Sequence, residues 1–135
     1  MNGLTRIAAA SLIAGGGVVH YRLWQDGYRG IDYIGPLFVA NMVISALLVV
    51  GVVVSRNRAV ALAGIAFLLG SIVALVLSRT TGLLGFVERA WTPDAIRATA
   101  AEVGAVVALA LALVARDRQI PRLVPARITT GLRRR

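Results

Sequence analysis

"ATAAEVGAVVALALALV", residues 98–114, is built from small and branched apolar side chains around a single carboxylate, Glu102. Such a stretch reads as a membrane span. An ionised acid at mid-span costs about 3 kcal/mol even on generous insertion scales, so it must be hydrogen-bonded, paired with a cation, or protonated. The rest of the chain has to supply a partner for Glu102 or a task.

The remainder of the sequence supports the membrane reading. Of 135 residues, 58% are hydrophobic and 16% charged, and the mean hydropathy is +0.78. A soluble domain of this size has too few polar residues to cover so much apolar surface. The apolar residues also fall in long blocks rather than short alternating runs. All fifteen basic residues are Arg, and there is no Cys, so disulfides and thiolate metal sites are excluded. With one His and no Cys, we expect neither a metal nor a cofactor.

Four blocks are candidate spans: about 4–24, 34–54, 59–77 and 95–115. At 1.5 Å per residue each matches a hydrocarbon core of roughly 30 Å. Inside that core every backbone group must be satisfied within its own segment, which leaves the helix. Pro36 falls in the first turn of the second block, and Thr92-Pro93-Asp94 reads as an N-cap, a first-turn proline and an acid at the positive helix end. Trp24, Tyr28, Tyr33 and Trp91 gather at one set of span ends, as interfacial aromatics do. The alternative for residues 1–17 is a cleaved signal peptide, but apolar character resumes at Val18-Val19 and runs to Trp24.

Arginine counts orient the chain. Arg6, Arg56, Arg58 and the seven tail residues Arg116, Arg118, Arg122, Arg127, Arg133, Arg134 and Arg135 fall on one side. Only Arg22, Arg29, Arg79, Arg89 and Arg97 fall on the other. The positive-inside rule then predicts an all-α, antiparallel, transmembrane four-helix bundle (residues 1–115) in the cytoplasmic membrane, with both termini and the basic tail (116–135) inside. On that side the tail should lie on anionic lipid headgroups, each Arg worth about 1 kcal/mol near the surface, rather than on nucleic acid.

Spans associate through small residues and polar contacts, because lipid tails are as apolar as leucine. Candidate seams are Ala98, Ala101, Ala105, Ala108 and Ala112 on the fourth helix, Ala63, Ala66, Gly70 and Ala74 on the third, and Ala10, Ala14 and Gly17 on the first.

Counting depth locates Glu102. It lies seven residues past Ala95, about 10 Å below the outer boundary; Asn41 lies about 8 Å down and Ser71 about 10 Å down. Three helices thus place polar side chains in one layer, which Ser45 can extend. The glycine run 15–17 occupies that depth on the first helix, with His20 somewhat above. Asn41, His20, Arg22 and Arg79 are the candidate partners of the acid. The two longer loops hold the other charges, His20, Arg22, Asp26, Arg29, Asp32, Arg79, Glu88 and Arg89, close to balance and among aromatics. They read as a cap of ion pairs or as a small pocket. "TTGLLGF" (80–86) is either a short re-entrant turn or a plain loop.

No nucleotide, metalloprotease, serine-hydrolase or dinucleotide motif is present. The expectation is therefore a non-enzymatic accessory, assembly or interaction subunit, held to a larger membrane partner or to its own copies. The alternative is a small proton, cation or solute carrier or channel working through the layer around Glu102.

The stretches "HYRLW…GYRGIDYIGPLFVANMV" and "LSRTTGLLGFVERAW.P" resemble a group of small four-span membrane proteins of actinobacteria, over about 100 residues and excluding the tail. The resemblance implies a four-helix membrane fold and no chemistry, and it singles out Asn41, Arg79 and Glu88. Small multidrug exporters are similar in size, but their working acid belongs to the first helix.

Overall fold

The structure, a computed structural model, describes residues 3–117, with side chains to residue 115. Four helices follow one another: α1 (Gly3–Gln25), α2 (Ile34–Val54), α3 (Arg58–Arg79) and α4 (Pro93–Asp117), with a 3-10 turn at Tyr28–Gly30. No strand occurs among the described residues; Leu83 and Phe86 form an isolated antiparallel bridge. The described residues are all-helical apart from their connections, and α2, α3 and α4 are long and apolar enough to cross a membrane. α1 is long enough too, yet it is not among those three. Arg6, His20, Arg22, Gln25 and three successive glycines dilute its apolar character.

Local chemistry explains the boundaries. Thr92 caps α4, its Oγ1 accepting from Ala95 N at 3.2 Å. Asn57 caps α3, its Oδ1 accepting from Ala59 N at 2.9 Å, so the turn between α2 and α3 is only Ser55–Asn57. At that same turn end, Arg6 donates from Nε to Val52 O (2.9 Å) and from Nη2 to Val53 O. A cation thereby satisfies orphan carbonyls at the negative end of α2 and ties the start of α1 to it. At the opposite, loop end, an alanine Cβ at Gly35 would sit 2.6 Å from Arg29 O, so only glycine lets loop and helix approach so closely.

α1 packs against both α2 and α4, and α4 against α3, while α2 and α3 touch only briefly. The core runs through Ala9, Ala10 and Ile13 of α1, Leu48 and Val52 of α2, Ala61 and Leu68 of α3, and Ala105 and Leu109 of α4. The buried stripe of α4 is Ala95, Ala98, Glu102, Ala105, Leu109 and Ala112, the alternating three–four spacing of left-handed packing. Glu102 is therefore inside the seam itself. Two expected seams turn out rotated. On α3 the buried residues are Ala61, Gly64, Leu68 and Ser78, whereas Ala63, Ala66 and Gly70 are exposed. On α1, Ala9, Ala10, Ile13 and Gly16 are buried and Ala14 is exposed. Small residues are so frequent in these helices that composition does not single out the packed face; the fit of Leu68 and Ile13 against neighbouring helices does.

Large apolar side chains cover the outside, among them Leu47 (68% exposed), Val54 (73%) and Leu111 (60%). Arg116 lies in the last turn of α4; Arg118, Arg122, Arg127, Arg133, Arg134 and Arg135 lie outside the described residues.

Candidate functional site

Glu102 is buried, and its neighbours arrive from three other helices. Ser71 of α3 donates from Oγ to Glu102 Oε1 at 2.6 Å. Asn41 of α2 donates from Nδ2 to Ser71 Oγ at 3.1 Å, and Ser45 donates to Asn41 Oδ1 at 3.3 Å. Glu102, Ser71 and Asn41 are thus joined in one hydrogen-bonded chain, which Ser45 extends by one turn. Every donor in the chain Ser45–Asn41–Ser71 points toward the acid, so Glu102 is the terminal acceptor. Ser71, rather than Asn41, makes the direct contact.

On the α1 side the glycine run makes room. A Cβ at Gly16 would lie 3.9 Å from Glu102 Cγ, and one at Gly17 would press on Ser45 Cβ at 3.3 Å. His20, one turn above, contacts Gly16 O through Nδ1 at 2.9 Å. A carbonyl oxygen only accepts, so Nδ1 carries hydrogen and Nε2 is turned to Glu102 Oε1, 4.0 Å away. That separation is too long for a direct hydrogen bond. In the neutral imidazole Nε2 then carries the lone pair, and it faces the acid across a gap.

The gap belongs to a cavity of about 380 Å³. Its floor is Glu102, Ser71 and Asn41, and its walls are mostly apolar side chains of α2 and α3, which diverge here. Ala40, Ile44 and Gly70 border it and are also exposed, so the cavity opens on the flank of the bundle between α2 and α3. Three rings roof it: Tyr28 stacks on Phe38 (centroids 5.0 Å) and meets Phe86 edge-on (5.8 Å), while His20 lies 5.1 Å from Phe38.

Of the remaining loop charges, Arg79 and Glu88 pair at 3.6 Å. Arg79 Nη1 also donates to Glu88 O (2.6 Å) and to Ala90 O, and the guanidinium lies 5.4 Å from the Trp91 ring centre. Its Nε is buried without a partner. Arg79 thus clamps the 80–92 loop instead of reaching down to Glu102, and Arg22 is exposed rather than turned to the acid. Asp26, Arg29, Asp32 and Arg89 are likewise exposed; among the described residues the ion pairs on this side, besides His20 facing Glu102, are Arg79–Glu88 and, in the first turn of α4, Arg97–Asp94 at 2.8 Å. The segment "TTGLLGF" closes as a tight turn: Leu83 and Phe86 exchange backbone hydrogen bonds, with Leu84 and Gly85 both at positive φ, as in a type I′ turn. Tyr28 titrates above its ordinary value, first because it is partly buried and next because Glu88 is near; Arg79 opposes the shift.

Loop sequence did not announce that Tyr28, Phe38 and Phe86 would form one roof, since they come from three separate segments. Set against known protein families, curated proteins and solved structures, the chain matches none.

Proposed function

We propose that this chain is a small multi-pass protein of the cytoplasmic membrane that admits a solute into the Glu102 cavity, as a binding protein or carrier with no catalytic step. α1 is the fourth span in this reading, both ends are cytoplasmic, and the basic tail rests on anionic lipid. Membership in the actinobacterial four-span group is part of the same proposal. The observation that carries it is the cavity at the end of the donor chain. An acid kept only to lock helix register is best sealed by packing, whereas Glu102, Ser71 and Asn41 all line open space.

The chain has no Cys, so single cysteines report without background. Ala74 lines the cavity, and Val73 beside it is 56% exposed on the outer surface. In membranes, A74C is expected to react with N-ethylmaleimide, which needs a hydrated thiolate, while V73C resists. Equal resistance at both positions would mean a dry layer and would defeat the proposal. Proton flux into vesicles, present in wild type and lost in E102Q, would go further and identify a carrier.

The accessory-subunit reading rests on the exposed Val43, Leu47, Val50 and Val54 along α2, an apolar face that a partner helix could cover as well as lipid. A stoichiometric larger protein co-purifying in mild detergent would favour it.

A further inference from the structure

We infer that the cavity is a site for a lipophilic organic amine in its protonated form, entering from the bilayer between α2 and α3; this rests on the cavity reading above. Four observations converge.

The first is the pattern of donors and acceptors. The floor accepts rather than donates: Glu102 is the end of a chain of donors, and His20 turns Nε2 toward it. Nε2 and Oε1, 4.0 Å apart, are too far apart to bond each other but near enough for two hydrogens of one ammonium group to reach both. At Glu102 and Nε2 a ligand that only accepts finds no donor; an unused donor of the lining, the buried Nε of Arg79, lies away from this pair in the loop clamp.

The second is charge. Two carboxylates border the cavity, Glu102 and Glu88, and the one guanidinium among its lining residues, Arg79, is engaged with Glu88, two backbone carbonyls and Trp91. An anionic headgroup would meet Glu102 where the guanidinium of the lining is already engaged, whereas an ammonium brings positive charge to the acid.

The third is the roof. Tyr28, Phe38 and Phe86 line the same cavity as the acid and touch one another there, and an aromatic ring attracts an organic cation by about 0.5–2 kcal/mol when desolvated. A metal ion fits poorly: no cluster of three metal-ligating side chains exists among the described residues.

The fourth is size and access. About 380 Å³ falls in the range that holds drug-sized molecules, and the lining is mainly apolar. The opening lies on the apolar flank, where such molecules concentrate once dissolved in lipid. Gly70 borders the cavity and is exposed, and a Cβ added there would meet nothing within 4 Å, so this edge of the cavity has room for a larger side chain.

The test uses two probes that differ only at one end, dansylcadaverine, with a terminal ammonium, and its analogue ending in hydroxyl. The full-length protein is placed in neutral phosphatidylcholine nanodiscs, and tryptophan-sensitised dansyl emission is titrated against empty discs. Wild type is expected to bind the ammonium probe saturably and at least about tenfold more tightly than the hydroxyl probe, the ratio one charge-assisted contact supplies. E102Q should bring both probes to the weaker affinity. G70F, which obstructs the mouth without touching the acid, should weaken both alike. Equal saturable binding of the two probes by wild type would overturn the amine inference and leave the cavity reading standing. Saturable binding of neither probe, with A74C still reactive, would overturn it as well. Binding of neither with A74C inert would remove the cavity reading itself. The wild-type comparison decides the question even if E102Q does not fold.

Discussion

Adding a Cβ at Gly51 brings it to 3.1 Å from Val60, and one at Gly64 comes to 3.0 Å from Leu109; one at Gly70, two turns nearer the loop end, meets nothing within 4 Å. α3 therefore lies tight against its neighbours at Gly64, while Gly70 faces open space beside Ser71, which reaches Asn41 of α2 through a hydrogen bond. At the turn end small residues draw backbones together and exclude everything else. At the loop end polar side chains of three helices hold the layer while α2 and α3 part around open space. Glycine alone does not make a close contact; what faces it decides.

Mutations can attack that contrast directly. Leu109 is fully buried at the tight end. L109A should cost about 2–5 kcal/mol through lost contacts and a residual cavity, seen as an earlier unfolding midpoint when SDS is titrated into detergent-solubilised protein. Leucine inserted at the two glycines gives a matched pair. G64L should lose about 1–3 kcal/mol by overpacking against Leu109. G70L should lose nothing, and gain up to about 1 kcal/mol from replacing a helical glycine. If the two variants melt together, the ends are not packed differently and the contrast fails. At the loop end, stability rests more on local bonds: T92A should cost about 1 kcal/mol and raise amide exchange in the first turn of α4 only.

The smallest effect is electrostatic. Tyr28 has its folded-state value raised above the ordinary value of 10.0, by burial first and by Glu88 second. The folded state favours the neutral phenol, so this contribution is fully present below pH 10 and is lost as pH rises through the folded value. Tyrosinate absorbance should show one phenol titrating late, and E88Q should bring it partway back. A Tyr28 that ionises with the other two tyrosines would mean the roof is open to water.

Much of this was readable along the chain. α2 runs as expected from 34 to 54, the Thr92 cap forms, and Glu102, Ser71 and Asn41 are joined by hydrogen bonds that Ser45 extends. What failed were statements about faces. Ala63, Ala66 and Gly70 look like a seam yet face outward, and Arg79, expected above the acid, turned to the loop carbonyls of Glu88 and Ala90. A small pocket among the loop residues was one of two readings, but its place was not legible, since the roof joins Tyr28 and Phe38 to Phe86 from a separate connection.

Distance along a helix axis follows from residue number, because each residue advances 1.5 Å whatever surrounds it. Helix extent, end caps and the position of the acid along its helix were therefore settled by the order of residues alone. Rotation about the axis and the spacing between axes are different: they minimise the packing energy of all four helices at once, and an alanine-rich surface offers nearly equal contacts on several faces. Only the assembled bundle chose Ser71 as the donor to Glu102, set His20 across a gap from it, and left α2 and α3 apart.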